Sequence, residues 1–159
     1  LSRVVVRRAC SSDANALRAI LHDTFESTWL PQLTTGAART FREEDRPAAY
    51  VAERGALFWL VEADGQVVGF IDWDADFVKA LHVRASHARR GLGGRLMDRA
   101  EAEIAGAGFA AARLETDTFN LRSRAFYAAR GYREVDRYPD KEWNSDLTTL
   151  LLAKTFDGA

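Results

Sequence analysis

Apolar positions along the chain change their spacing several times, and each change marks an element. Val4, Val5 and Val6 are consecutive and β-branched, which predicts an opening strand. Ala16, Leu17, Ile20, Leu21 and Phe25 then follow the helical period, with Ser11 or Ser12 as the cap. This helix is expected to end near Trp29-Leu30-Pro31, because proline disfavours helical geometry in the residue before it. Thr35 to about Glu53 reads as a second helix, bent or interrupted at Pro47. Its mixed charges (Arg39, Arg42, Glu43, Glu44, Asp45 and Arg46) fit a solvated face. Leu57 to Glu62 and Gln66 to Trp73 are strands joined at Ala63-Asp64-Gly65, where Asp-Gly signals a hairpin.

A third strand, about Phe77 to Arg84, leads into Arg89-Arg90-Gly91-Leu92-Gly93-Gly94. A helix follows through Arg95, Leu96, Met97, Ala100 and Ile104 to about Ala107, and Gly108 ends it. Ala110 to Asp117 is the next strand. Strand, helix and strand in such short succession imply two parallel strands of one sheet joined by a right-handed crossover. Asn120 to Arg130 is helical and stops at Gly131, and Tyr132 to Tyr138 and Leu147 to Thr155 close the chain as strands. The pattern is α/β with a mixed sheet, antiparallel at the start and parallel in the middle.

Composition narrows the class. A chain of 159 residues, 47% apolar and 28% charged, fits a single ordinary domain spanning 1–159. A formal net charge of −1 gives no electrostatic case for a nucleic-acid partner. The basic patch from Arg84 to Arg95 is better sized for one small anion than for a duplex. Cys10 is alone, so no intrachain disulfide can form, and a cytoplasmic location is expected. No apolar run approaches a membrane span, and the N-terminus lacks a signal-peptide layout. His22 and His87 have no carboxylate or Cys at ligand spacing, so no metal site is assigned.

Two stretches carry candidate chemistry. Glycines let the backbone turn tightly and approach a ligand, and the free N–H groups of a new helix point one way. With the partial positive charge of that helix end, Gly91 to Gly94 can seat a phosphate, flanked by Arg89, Arg90 and Arg95. Downstream, Asn120 and Tyr127 are seven residues apart on one short helix, about 700° of turn, which puts both on one face roughly 10 Å apart. Taken singly, Asn120 reads as an N-cap and Tyr127 as core beside Phe126.

Together these stretches resemble the GNAT superfamily of acyl-CoA-dependent N-acyltransferases. The likeness rests on Leu81-His82-Val83, on Arg89-Arg90-Gly91-Leu92-Gly93-Gly94, and on Asn120 with Phe126-Tyr127-x-x-Arg130-Gly131-Tyr132, and covers roughly Gly69 to Tyr132. It implies the GNAT fold: a single mixed, mostly antiparallel sheet of six to seven strands. A central parallel pair splays at the acetyl-CoA site, and about four helices pack on the sheet. It also implies that Leu81, His82 and Val83 lie along the pantetheine arm and bond it through backbone groups. Arg89, Arg90, Gly91, Leu92, Gly93 and Gly94 would wrap the diphosphate, Asn120 would bond the pantetheine, and Tyr127 would sit at the sulfur. In one departure, the family usually carries Gln or Arg three residues before the first motif glycine, where this chain has Ala88. Arg89 and Arg90 are left to supply the polar contacts.

The implied function is transfer of acetyl from acetyl-CoA to a primary amine by direct attack in a ternary complex. The amine must lose a proton, although its pKa is about 8 for an α-amine and about 10.4 for lysine. The oxyanion needs a fixed donor, for which the N–H near Val83 is the candidate. The leaving thiolate needs a proton, which a phenol such as Tyr127 can deliver. Glu115 is the first candidate for the base: it lies on an interior strand, where a carboxylate is costly unless it is paired or faces a cavity. In members that acetylate protein N-termini, a glutamate five residues before the motif Asn is the base, and Glu115 has that offset from Asn120. A salt bridge from Glu115 to Arg113 is the competing role, and Asp72, Asp74 or a water relay are further choices for the base. The acceptor, a peptide or protein N-terminus or a small amine, is left open. Phe25, Trp29, Phe41, Tyr50, Tyr138 and Trp143 lie on the segments that would line its site, and Glu43, Glu44, Asp140 and Glu142 could attract a cation. A homodimer is compatible with the reading. The rival from another class is a non-catalytic CoA-binding sensor on the same fold.

Overall fold

The computed structural model describes residues 3–141 and 146–157. Glu142 and Trp143, placed near the acceptor by the sequence, lie outside the described residues. The chain forms β1 (Val4–Arg8), α1 (Ala14–Thr24), α2 (Thr35–Glu44), α3 (Arg46–Arg54), β2 (Trp59–Ala63), β3 (Gln66–Asp74) and β4 (Phe77–Val83). These are followed by α4 (Leu92–Gly106), β5 (Ala111–Asp117), α5 (Leu121–Ala129), β6 (Arg133–Pro139) and β7 (Thr148–Thr155). One seven-stranded sheet runs in the order β1-β2-β3-β4-β5-β7-β6, antiparallel throughout except between β4 and β5.

Alternation along the strands divides the core in two. Val61, Ile71, Val78 and Leu114 meet Leu96, Met97, Ala100 and Ile104 of α4 on one face. Leu60 and Phe70 meet Leu17, Ile20 and Leu21 of α1 and Val51 of α3 on the other. The sheet is thus sandwiched between α4 with α5 and α1 with α3. Tyr127 of α5 belongs to the first layer.

Several boundaries differ from expectation for local reasons. The break expected at Pro47 falls at Asp45, a left-handed residue (φ 45°) whose side chain accepts from the Ala48 amide at 3.4 Å. Pro47 sits in the first turn of α3, where its missing N–H leaves no bond unmade. One expected helix is therefore two, which makes five α-helices among the described residues against about four expected. Neither Ser11 nor Ser12 caps α1. Ser11–Asp13 form a 3₁₀ turn, and buried Asp13 accepts from the Cys10 amide (2.8 Å) and from Arg7 (2.9 Å twice). Beyond Thr24 the helix widens into a π turn, Phe25–Trp29, before the 3₁₀ turn Leu30–Gln32 that carries Pro31. The hairpin at Asp64-Gly65 is as expected, both residues having positive φ (52° and 81°), the signature of a type I′ turn.

Gly69 fixes how β3 lies on β4. It pairs with Val83, and a Cβ built there falls 2.8 Å from the His82 carbonyl oxygen, a backbone atom with no room to move. Gly69→Ala is expected to destabilise the protein by about 1–3 kcal/mol, the cost of overpacking a filled interior. Chemical denaturation reads this directly, and an unchanged midpoint would mean that the β3–β4 pairing is softer than its geometry.

Candidate functional site

The cleft arises from a sheet that parts along one seam. β4 and β5 pair only at Phe77–Arg113 and Val78–Leu114; beyond Val78, β4 continues on β3 alone. The Arg84 amide donates to the Val68 carbonyl at 2.8 Å. By antiparallel alternation, the backbone groups of His82 and Arg84 face β3, and those of Leu81 and Val83 face the opening. That unpaired edge is what an extended, amide-bearing ligand needs in order to add as a further strand.

The opening is a cavity of about 990 Å³. It is lined by Leu81, His82, Val83, Arg89, Gly91, Leu92, Gly93, Gly94, Glu115, Asn120 and Tyr127, so the fold gathers the residues singled out in the sequence into one place. Arg90 and Arg95, expected to flank the phosphate, are exposed and outside the lining. Lining residues come from both faces of the sheet. On β5, Leu114 and Thr116 are buried toward α4 and α5, whereas Glu115 and Asp117 point the opposite way.

At one end of the cavity the chain leaves backbone amides without helical partners. Arg89 (φ 64°) and Gly91 (φ 77°) reverse the chain so that α4 starts at Leu92, and the first-turn amides of Leu92, Gly93 and Gly94 have no helical acceptor. Nothing lies within 4 Å of a Cβ built on Gly91, so ligand atoms have access to that turn. His87, Ala88 and Arg122 complete this rim, with Arg122 exposed on the first turn of α5. Ala88 presents a methyl group where a Gln or Arg would add a donor. Asn120 caps α5, its Oδ1 accepting from the Ser123 amide at 3.1 Å, while its side chain also borders the cavity. Open edge, amide turn and Arg89 together fit a ligand with an amide-bearing arm and a diphosphate.

Tyr127 stands midway. Its side chain is 8% exposed and packs edge-to-face on Phe126 and Tyr132, yet its hydroxyl has no hydrogen-bond partner among the described residues. Burial raises its pKa well above that of an ordinary phenol, so it stays protonated at neutral pH. A phenol whose ring is packed in the core, whose hydroxyl bonds none of the described residues and which borders a cavity is an available proton donor. His82 is different: its Nδ1 pairs with the Thr24 hydroxyl at 2.8 Å, its ring stacks on Phe70, and desolvation lowers its pKa to about 4. The ring is neutral and packed against the core.

The other end is acidic. Glu115 is exposed to the cavity and accepts from the Tyr138 hydroxyl at 2.5 Å. The alternative pairing with Arg113 is not formed, because Arg113 is held by Asp76 at 2.8 and 3.1 Å. Asp117, two residues on, accepts from the Trp29 indole N–H at 3.0 Å. Burial, above all, raises its pKa; the Trp29 bond opposes this, and nearby Asp140 and Glu115 add to it. Asp117 was not singled out in the sequence, and the available signal was its i+2 position on the strand face of Glu115. Asp72 is fully buried outside the lining, bonded to Arg54 at 2.7 and 3.0 Å and to Tyr50 at 2.6 Å. Asp74 is exposed and also outside the lining. Among the described residues no His, Cys, Asp or Glu group of three or more is arranged to hold a metal, and no helix is long and apolar enough to cross a membrane.

A mixed sheet splayed at a parallel pair, an amide turn at one end of the cleft and a free phenol beside it define an acyl-CoA-binding transferase. Residues 15–132 match the model of the acetyltransferase (GNAT) family, and the chain belongs to that family. It is 24% identical to an uncharacterized N-acetyltransferase of Lactobacillus delbrueckii subsp. lactis, over 97% of this chain and 98% of that one. It is 34% identical to a blasticidin-S acetyltransferase of Streptomyces morookaense over 58% of this chain and 66% of that one. The fold is that of the PaiA N-acetyltransferase of Thermoplasma acidophilum, solved in complex with coenzyme A, with a TM-score of 0.77, 18% identity and coverage of 97% and 99%. The protein is an acetyltransferase of the GNAT family, with acetyl-CoA as co-substrate.

Proposed function

We propose that the chain is a single N-acetyltransferase domain that moves the acetyl group of acetyl-CoA directly to a primary amine. The acceptor is a peptide or protein N-terminus or a small amine. The observation that carries this is one cavity lined by the unpartnered hydroxyl of Tyr127 from one face of the sheet and by the Glu115 carboxylate from the other. Acetyl-CoA supplies an activated acyl group. Leu81 and Val83 bond its pantetheine arm through their free backbone groups, with Asn120 on the other side. Arg89 and the amides from Gly91 to Gly94 hold its diphosphate. The Val83 N–H stabilises negative charge on the carbonyl oxygen.

Glu115 takes the proton from the attacking ammonium, directly or through water, and Tyr127 gives one to the leaving thiolate. The acidic end, Glu115 with Asp117 and Asp140, favours an acceptor that arrives as a cation. Release of CoA thiol against a panel of amines tests the reading: saturable release with at least one amine is expected, and none with any amine would sink it. Within that assay, Glu115→Gln is expected to lower kcat/KM at neutral pH about 100-fold and to remove the acid limb of its pH profile. A retained limb would pass the base to Asp117 or to water.

A further inference from the structure

We infer that Tyr138 is a positioning residue for the transfer step: its hydroxyl fixes one oxygen of Glu115 so that the other faces the acceptor amine. The inference rests on Glu115 being the base, and deepens that reading. Glu115 is exposed, has several rotatable torsions, and bonds no described residue other than Tyr138. Left alone, such a side chain samples many rotamers, whereas a base must stay within hydrogen-bond reach of its proton. The bond is short, 2.5 Å from Tyr138 Oη to Glu115 Oε2, as expected for a phenol donating to a carboxylate.

The two residues are not on neighbouring strands. β7 lies between β5 and β6, Glu115 opposite Leu151 and Tyr138 opposite Thr149, so the phenol reaches diagonally across a strand on the cavity side. Two strand spacings are about 10 Å, a span for two long side chains extended toward each other. This geometry spends a tyrosine on an otherwise exposed edge strand. No fold requirement asks for it there. Burial, with Glu115 adding to it, pushes the Tyr138 pKa up to about 12, so the phenol donates across any assay range. Among the described residues, the charged groups near the pair include Arg113 (occupied by Asp76), Asp117 (bonded by Trp29), Asp136, Asp140 and Lys141, whose Nζ lies 5.5 Å from the Tyr138 ring centre.

The test is the pH dependence of acetyl transfer in Tyr138→Phe, in Glu115→Gln and in the double variant, with acetyl-CoA affinity read separately by calorimetry. Tyr138→Phe is expected to lower kcat about tenfold without changing acetyl-CoA affinity. The loss should fall on kcat, with KM for the amine little changed. In the Glu115→Gln background the substitution should have no further effect, which loss of packing alone would not reproduce. A parent kcat in Tyr138→Phe, or an equal further loss in the Glu115→Gln background, while Glu115→Gln alone removes the acid limb, would overturn the inference and leave the base standing. If Glu115→Gln keeps the limb, the base assignment falls, and the inference with it.

Discussion

Tyr127→Phe is expected to bind acetyl-CoA within a few-fold of the parent protein while turning over about 100-fold or more slowly, the usual cost of losing a positioned general acid. The substitution removes one oxygen that bonds none of the described residues, and leaves the ring packed against Phe126 and Tyr132, at centroid distances of 5.1 and 5.6 Å. Stability should be little changed, since the hydroxyl bonds none of the described residues and reaches the cavity rather than being sealed in the core. Because burial holds the phenol protonated far above neutral pH, the parent enzyme should show no loss of rate from Tyr127 ionisation in the working range. Steady-state thiol release and titration calorimetry separate the two effects. A variant with the parent rate would take Tyr127 out of the chemistry; one that no longer bound acetyl-CoA would give the hydroxyl a binding role instead.

Arg54→Ala, at the end of α3, should strongly destabilise the packing of that helix on the sheet. Asp72 has no exposed surface, and Arg54 supplies two of its three donors, the Tyr50 hydroxyl being the third. Removing the guanidinium strands a buried carboxylate. Such losses cost about 3–5 kcal/mol, more than the pair itself contributes, because the desolvation of the surviving charge is no longer offset. For a chain of this size that lowers the melting temperature by about 10 °C. Turnover per folded molecule should hardly change, since Asp72 does not border the cavity. The opposite pattern, an intact melting temperature with lost activity, would make Asp72 a participant in the reaction.

The parts of this molecule that follow from local rules were legible in the chain. Asp64-Gly65 announced a hairpin because only particular residues tolerate two successive positive φ values. Gly91 marked the turn into α4 for a similar reason (φ 77°), whereas Asn120, expected on one helix with Tyr127, is the cap that precedes α5, although both residues border the cavity. What escaped the sequence depends on residues far apart. The helix break moved from Pro47 to Asp45 because a proline in the first turn of a helix breaks nothing, while an αL aspartate that caps the next helix does. Cys10 and Asp13 displaced Ser11 and Ser12 as the cap because Arg7, on the neighbouring strand, claims the carboxylate. The partners of Glu115 and Asp117, Tyr138 and Trp29, are set by strand order and by the π turn. No spacing along one segment encodes either. Asp72 is the clearest case: as a sequence position it was a rival base, and only the packing of α3 on β3 makes it a buttress.

The seam between β4 and β5 has a kinetic consequence. Where most sheets are a continuous partition, this one has a slot, and groups on its two sides border the same space. On the proposed reading, a nucleotide-bearing donor and a cationic acceptor would enter that space from opposite sides. Enzymes laid out like this carry both reactants at once and need no acylated form of the protein between half-reactions.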